Sequence, residues 1–490
     1  MKLAELIKDV DGIKGTDGNI SETEIACLAM DSRQKEENGL FFCVKGERFD
    51  SHKLAGEAVK NGAVALVTEE KLSLNVPQIV VENSRAALGV ISGKFYGEPS
   101  KKMQVIGITG TNGKTTTAHM LAAILKKANK KVGVIGTLGI RYAEKEVPTE
   151  LTTPDPIDLQ RTLADMVLRG IKYVVMEVSA HALAYHKTDG VVFYACIFTN
   201  LTQDHLDFFP SMQAYKEAKI GLFTSQKCPI AVINGDEETG REIGHAIEAY
   251  NPICKTVFYG ISTPTDAFAV VTDESLSASE CVLNINDKLS RVRLSMAGRY
   301  NVYNALAAAA CATELGVSSE EISLGLTSMV GVEGRLQRVG CMRGANIYVD
   351  FAHTPDGLEK SLETLRAHCK GRLICLFGCG GNRDKGKRPL MGATVAKKAD
   401  FAILTSDNPR YEDPLDIIGG IEKGYRRFSV RYVIVPDRKK AIEYALEILK
   451  KGDILLVAGK GGEKYQEVMG IKYPFNDQDI IERALEKKGV

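Results

Sequence analysis

Met103-Gln104-Val105-Ile106-Gly107-Ile108-Thr109-Gly110-Thr111-Asn112-Gly113-Lys114-Thr115-Thr116 is the stretch on which the reading of this chain turns. Its first seven residues make an apolar run of strand length, and Thr115 to Ala128 then repeats apolar residues at helical spacing. The loop between them carries two glycines, which let backbone N–H groups turn towards phosphate oxygens at the start of a helix. Lys114 would bridge the outer phosphates, and the Thr115 hydroxyl would meet Mg²⁺. The full Walker A spacing is not present, because Ile108 stands where that pattern has its first glycine. A tight strand-to-helix turn without a ligand is the bland alternative.

Working outwards, the apolar runs Lys131–Thr137, Tyr173–Val178, Phe193–Thr199 and Pro229–Asn234 alternate with helical segments. That alternation predicts a mostly parallel sheet covered on both faces. Parallel strands bring their carboxyl ends together, so Glu177, closing one run, is the first metal candidate. His205, in Thr199-Asn200-Leu201-Thr202-Gln203-Asp204-His205-Leu206-Asp207, is the second. Residues 265–296 hold three strand-like runs with no helix between them, hence a small antiparallel sheet, and the Ala-rich helix Asn301–Leu315 follows. Beyond Arg335, strand and helix alternate again through Ile347–Phe351, Leu373–Phe377, Phe401–Thr405, Tyr432–Val435 and Ile454–Ala458, which predicts a second, Rossmann-like α/β region. Residues 1–100 mix short helices with the strands Gly39–Val44 and Ala63–Val67 and end in the turn-rich Tyr96–Ser100. The expected fold is therefore α/β in three domains, with boundaries at 1–100, 101–333 and 334–490.

Length and composition agree with an ordinary enzyme. The 490 residues suffice for two to four domains at roughly 100–200 residues each. The chain has 44% hydrophobic and 26% charged residues, so neither disorder nor a disulfide-stapled miniprotein fits. Its 63 basic and 62 acidic residues leave a net charge of +1, with no like-charged block to bind nucleic acid. No signal-like h-region or 18-residue apolar run is present, and a cytoplasmic protein without membrane insertion is expected. The 11 scattered cysteines lack zinc-site spacing and read as reduced core or loop residues, so any metal should be a hard, oxygen-bound ion.

The motifs together resemble the Mur ligases, ATP-dependent enzymes that add amino acids to the cytoplasmic peptidoglycan precursor. The likeness rests on Gly110–Thr116, Glu177-Val178-Ser179, Thr199–Asp207, Gly298–Asn304, Arg335 and Asp350-Phe351-Ala352-His353-Thr354-Pro355. It implies that Gly110, Thr111, Asn112, Gly113, Lys114, Thr115 and Thr116 cradle ATP, that Asn301 meets the adenine, and that Arg335 and Asp350 close on phosphates and ribose. It also implies two Mg²⁺ ions, held by Thr115, Glu177, His205 and Lys219. Lys219 matches a lysine that the family carbamylates, and it stands with Lys114 and His205 as a catalytic candidate. Carbamylation requires the neutral amine, which at an ordinary pKa near 10.4 is only about 1 in 2,500 at pH 7, so local depression of the Lys219 pKa is expected. Without the family, Lys219 would read as a solvated helix residue. Phe351 and Ala180 stand where the family usually has tyrosine and serine.

Met30-Asp31-Ser32-Arg33 and Gly39–Gly46 resemble the members that add the third residue of the peptide. By that likeness Met30, Ser32, Glu47, Arg48 and Phe49 border the uridine nucleotide of a UDP-N-acetylmuramoyl dipeptide, and Thr152, Thr153, Ser179, Tyr185 and Lys187 contact the muramoyl dipeptide. Tyr185 and Lys187 replace the Gln and Arg of many relatives, and Lys187 lacks the bidentate fork. His181 reads as a structural loop histidine. Asp407, Asn408, Pro409 and Arg410 match the motif of members that take meso-diaminopimelate, with Arg383, Gly459 and Glu463 as further contacts. Diaminopimelate is lysine with a second amino-acid head, and Arg410 can hold its distal carboxylate with paired charge-assisted bonds. Glu463 could pair the distal ammonium. Gly462 replaces a frequent histidine. Read alone, Asp407–Arg410 would be a turn, and the glycine-rich loops lack a Gly-x-Gly-x-x-Gly dinucleotide pattern.

The implied reaction activates a D-glutamyl γ-carboxylate as an acyl phosphate, which the amine of diaminopimelate displaces. His353 or Asp350 could assist amine deprotonation, and ATP contacts on two domains predict closure of the C-terminal domain. A monomer is expected. The alternatives are the lysine-adding version of the same ligase, a folylpolyglutamate-synthase-like ligase, and a nucleotide-binding module that does not turn over.

Overall fold

The computed structural model describes residues 1–35, 37–46, 49–224 and 228–487. The chain divides into two compact units, one made chiefly of Met1–Gly107 and Lys131–Cys196, the other of Ile108–Lys130, Ile197–Thr224 and the chain from Ile230 onward.

In the second unit, Leu373–Phe377 and Ile454–Ala458 are buried at every residue, as parallel strands covered on both faces must be. Leu373, Cys375 and Phe377 pack with Leu358, Leu362, Met391 and Ile421. Ile374 and Leu376, pointing the other way, meet Ala441, Ile442, Leu446 and Ile481. The sheet runs in the order Gln337–Met342, Ala345–Asp350, Ile454–Ala458, Leu373–Phe377, Phe401–Leu404, Tyr432–Ile434. Its first strand is antiparallel to the second, and the remaining five are parallel. Their carboxyl ends therefore open on one edge, and the strand order reverses beside Ile454–Ala458, where open α/β sheets take ligands. The same unit carries Ile230–Asn234, Lys255–Gly260 and Ala267–Glu274 in parallel. From Ala267–Glu274 an antiparallel meander continues through Ser279–Ile285 and Lys288–Leu294, as expected for this region.

The first unit contains a five-stranded sheet in the order Ile13–Asp17, Gln78–Val81, Ala63–Thr68, Gly39–Phe42, Cys27–Ala29, parallel except for Ile13–Asp17. It also contains Tyr173–Glu177 paired in parallel with Val132–Gly136, extended by the antiparallel strands Gly139–Tyr142 and Lys145–Val147. The α/β expectation, with parallel sheets and a small antiparallel one, holds. One local expectation changes: His181 lies in the short helix Ala180–Ala184 and not in a loop, because the Ser179 hydroxyl caps that turn by accepting from Ala182 N–H.

All eleven cysteines are free thiols, and burial pushes Cys43, Cys311 and Cys379 up to about 12. Among the described residues, no helix is long and apolar enough to cross a membrane.

Beneath the open edge of the six-stranded sheet lies a fully buried ion pair. Arg438 donates through Nε and Nη2 to the two carboxylate oxygens of Asp477, at 2.8 and 2.7 Å. It also donates to the carbonyls of Ala458 and Ser406, so one guanidinium ties together two of the strand ends. Removing one partner strands a buried charge, which costs about 3–5 kcal/mol. Asp477→Ala should lose about that much in urea unfolding at pH 7, and a loss below about 1 kcal/mol would show that the pair carries no such weight.

Candidate functional site

The glycine loop leads from strand Gln104–Thr109 into helix Lys114–Lys127. Gly110 and Gly113 have φ of +147° and +88°, and a Cβ at either would lie 1.9 Å from Thr199 Oγ1 or 2.4 Å from Asn304 Oδ1. No side chain caps this helix, Thr117 N–H donates to Gly113 O at 2.9 Å, and the positive end of the helix dipole faces the loop. Lys114 Nζ folds over the loop and donates to the carbonyls of Gly110 and Thr111, at 2.8 and 2.9 Å. Asn112 N–H donates to Asn200 Oδ1, and the Thr111 and Tyr215 hydroxyls are 3.1 Å apart. Thr115 and Thr116 are buried, as is Asn301, whose amide donates to Ala297 O and accepts from Asn304.

The segment after residue 333 reaches this loop. Arg335 Nη2 donates to Thr115 Oγ1 at 2.8 Å, and its guanidinium lies 4.3 Å from the centroid of the Phe351 ring. Phe351 thus holds a cation with its face, which needs no tyrosine hydroxyl. Asp350 ends the strand Ala345–Asp350, accepting from the N–H groups of Leu336 and Ala352 and from the Ser361 hydroxyl. These bonds fix the turn that carries Arg335. Burial nevertheless raises the Asp350 carboxyl above its ordinary pKa. Gly334 rests directly on the second glycine-rich loop, since a Cβ there would fall 2.0 Å from Gly462 N. Asn112 Nδ2 donates to Asp356 in the first turn of helix Pro355–Arg366.

Asp204 is the hub of the next group. Lys387 Nζ donates to its Oδ1 at 3.0 Å, while Nε2 of His205 and of His353 lie 3.4 and 3.6 Å from its Oδ2. His353 Nδ1 donates to Phe351 O, which leaves Nε2 to face Asp204. Burial opposes the Asp204 charge, but Lys387, His353 and His205 outweigh it and hold the carboxyl well below the usual range.

Lys219, on helix Met212–Thr224, is 1% exposed. Five cations are buried among the described residues: Lys219, Lys387, Arg388, Arg438 and Lys460. Four of them have a carboxylate within 3.0 Å. Lys219 has none among the described residues and lies over the Tyr215 ring, 4.5 Å from its centroid. Burial, with repulsion from Lys114, drives its pKa well below the ordinary lysine value despite Asp204. The neutral amine that carbamylation needs is thus favoured. Among the described residues no three His, Cys, Asp or Glu side chains form a metal cage.

At the open edge of the six-stranded sheet, the loops after Phe377, Leu404 and Ala458 bring Arg383, Asp407–Arg410, Gly459 and Glu463 into one region. Asn408 donates to Glu463 Oε2 at 3.0 Å, and Lys460 Nζ donates to both Asn408 Oδ1 and Glu463 Oε2, at 2.9 and 2.7 Å. Burial raises the pKa of the Asp407 carboxyl, but Lys460 and Arg438 prevail and hold it below the usual range. Gly459 packs on Asp407, where a Cβ would lie 2.6 Å from Oδ2. Pro409 O closes on Gly381, where a Cβ would lie 1.9 Å away. Arg410 donates through Nε to Glu467 Oε2 at 3.0 Å and through Nη1 to Gly381 O at 2.9 Å. Arg383 is exposed on the neighbouring loop.

In the first unit, Glu177 accepts from Thr137 N–H and hydroxyl, and Thr137 also meets the Thr152 hydroxyl. Thr153 donates to Glu177 O and accepts from Ser179 N–H. Tyr185 carries the Arg85 guanidinium 4.3 Å above its ring, and Lys187 pairs with Asp155 at 2.7 Å. Ser32 is buried and donates to Glu57, Met30 is half-buried, and Phe49 is exposed. Glu47 and Arg48 lie outside the described residues.

Residues that sequence reasoning did not single out include Asp204, Arg85, Lys387, Lys460 and Glu467. Asp204 adjoins the candidate His205, and Lys460 adjoins the candidate Gly459. Each of the five has a partner distant in sequence: Lys387 for Asp204, Tyr185 for Arg85, Asn408 for Lys460 and Arg410 for Glu467.

Three family models match the chain: "Mur ligase family, catalytic domain" over residues 24–96, "Mur ligase middle domain" over 108–312, and "Mur ligase, glutamate ligase domain" over 334–461. The chain is 42% identical over 488 residues to a UDP-N-acetylmuramoyl-L-alanyl-D-glutamate–2,6-diaminopimelate ligase of Caldanaerobacter subterraneus subsp. tengcongensis, covering 99% of both chains. It is 39% identical to the protein of the same name from Geobacillus thermodenitrificans, covering 100% of both. A solved structure of a ligase with that name superposes with a TM-score of 0.71 at 29% identity, over 100% of this chain and 99% of the other.

Asp204→Asn tests the hub. It leaves the buried Lys387 ammonium without its carboxylate, and a loss of about 3–5 kcal/mol is expected at pH 7. The folded carboxyl titrates below its unfolded value near 3.9, so its contribution is complete above that value and disappears as pH falls through the folded pKa. Urea unfolding should show a constant deficit for the variant above about pH 5, shrinking in acid. A deficit that grows on acidification contradicts this sign.

Proposed function

Because the chain belongs to the Mur ligase family, we propose that it joins meso-diaminopimelate to the D-glutamyl γ-carboxylate of UDP-N-acetylmuramoyl-L-alanyl-D-glutamate, using ATP and Mg²⁺. This is an ADP-forming amide ligation of peptidoglycan precursor synthesis, placed in the cytoplasm. The domain bounds 1–100, 101–333 and 334–490 serve the uridine substrate, ATP and the incoming amino acid in turn.

A γ-carboxylate oxygen attacks the γ-phosphorus of ATP, the bond to the β-phosphate bridging oxygen breaks, and an acyl phosphate and ADP result. The amine of diaminopimelate then attacks the acyl carbon. Phosphate leaves and the nitrogen sheds its proton. Such chemistry depends on positioning and on neutralising the transferring group. The loop amides of Gly110–Thr116 and Lys114 carry the phosphates, and Arg335, oriented by Asp350 and Phe351, adds a second cation beside Thr115. Thr115 and carbamylated Lys219 are the proposed Mg²⁺ ligands at this loop, with His205 for a second ion, and Glu177 is kept as a ligand on the family likeness. Mg²⁺, when bound, would neutralise phosphate charge. Met30, Ser32, Phe49, Thr152, Thr153, Ser179, Tyr185 and Lys187 are the proposed contacts of the uridine substrate, to which Glu47 and Arg48 belong by likeness alone.

The choice of amino acid rests on Arg410. Of the five N–H groups of a guanidinium, one at Nε goes to Glu467 and one at Nη1 to Gly381. Each terminal nitrogen keeps a donor, and a carboxylate can accept from both. Lysine would leave these donors unmatched, and such mismatches give discrimination of about 10⁴–10⁵.

ADP release with the UDP-dipeptide and an amino-acid panel tests this reading. Diaminopimelate should exceed lysine by at least about 10³ in kcat/KM, and Arg410→Ala should remove most of that ratio while leaving the KM for ATP within about twofold. Equal use of lysine by the unmodified chain would refute it. Lys219→Ala should lower kcat by at least about 10–100-fold, with partial recovery in formate or acetate, which return a free carboxylate to the gap. Full activity in Lys219→Ala, or an unmodified amine by mass spectrometry in active enzyme, would remove the carbamate.

A further inference from the structure

Arg410 has φ of +54°, a backbone conformation that a non-glycine residue keeps only where its surroundings hold it. The surroundings are the strand Tyr465–Val468, which pairs with Ile471–Pro474 in a two-stranded hairpin. Arg410 N–H donates to Glu467 O at 3.1 Å, and Met469 N–H donates to Arg410 O at 2.7 Å. Between these backbone bonds, Arg410 Nε donates to Glu467 Oε2 at 3.0 Å, with both side chains about four-fifths buried. Glu467 N–H in turn donates to Asn408 Oδ1 at 3.0 Å, the oxygen that also accepts from Lys460. Glu467 therefore grips two residues of the Asp407–Arg410 segment on either side of Pro409, Arg410 through its carboxylate and carbonyl and Asn408 through its amide.

We propose that Glu467 is a positioning residue for the incoming amino acid, holding the Nε edge of Arg410 so that the terminal nitrogens present an aligned fork to a distal carboxylate. This rests on the diaminopimelate reading above and deepens it. The geometry assigns each edge of the guanidinium a separate task. Glu467 takes Nε and Gly381 O takes one Nη1 hydrogen, which leaves one hydrogen on Nη1 and two on Nη2 for the ligand. A charge-assisted bond to Nε restricts rotation of a side chain that otherwise has four free torsions, so less order must be gained when the ligand arrives. The carboxylate also balances the Arg410 charge before binding, which keeps a partly buried guanidinium tolerable in the empty site.

Steady-state kinetics of the full chain distinguish this role from a general structural one. Glu467→Ala should raise the KM for diaminopimelate by about 10–100-fold while kcat and the KM values for ATP and UDP-dipeptide stay within about threefold. Glu467→Gln, which keeps an oxygen for Nε, should restore the KM to within about threefold of the unmodified chain. Should Glu467→Ala fail to fold, Glu467→Asp sets the charge one methylene back and should raise the same KM at least about threefold. An unchanged KM for diaminopimelate in the alanine or aspartate variant overturns the inference, as does a loss spread equally over all three substrates or a glutamine variant as impaired as alanine. If the unmodified chain releases no ADP with diaminopimelate, the underlying reading fails and this inference with it. If it does and the variants match it, only the role of Glu467 fails.

Discussion

Parallel pairing is the constraint from which the site in the second unit follows. Five parallel strands send their carboxyl ends to one edge, so Asp350 and the loops after Phe377, Leu404 and Ala458 meet although more than 100 residues separate the first from the last. The strands themselves carry no chemistry. Their alternating apolar side chains fill two cores, and that packing makes the edge rigid enough to hold charged groups at fixed distances.

Charge compensation then decides which groups stay available. Arg438 is matched to Asp477, Lys387 to Asp204, Arg388 to Glu412 and Lys460 to Glu463, so those buried cations act as fasteners between segments. Lys219 lacks such a partner among the described residues, and burial with repulsion from Lys114 holds its pKa well below the ordinary lysine value. Arg410 stands between the two cases. It is anchored on one side by Glu467 and keeps its terminal donors, which is the arrangement expected of a group that must be ordered before its ligand arrives and still bind it.

Much of this was legible from residue patterns. Leu373–Phe377 and Ile454–Ala458 are unbroken apolar runs because both faces are buried, and the loop 110–116 declares itself through glycines that close neighbours require. Other elements left weaker signals. Lys145–Val147 and Ile471–Pro474 are exposed along their length, and at three and four residues they are too short for a hydrophobic period to mark them. Missing the hairpin Tyr465–Pro474 also hid Glu467, whose partners lie 57 and 59 residues away. Asp204 was visible beside His205, but the buried lysine that gives it meaning comes from a helix 183 residues later. Motifs thus marked out the segments, while the residues that hold those segments in place emerged only once the chain was folded.

In the proposed function Arg410 receives the far end of the amino acid while the glycine loop energises its acceptor. A crystal structure with ADP, the UDP-dipeptide and diaminopimelate bound tests it most directly. The account predicts the distal carboxylate at about 2.7–2.9 Å from both terminal nitrogens of Arg410, with Nε still on Glu467 and the ADP β-phosphate against Lys114. A distal carboxylate bound elsewhere, with Arg410 engaged only by Glu467 and Gly381, would contradict it.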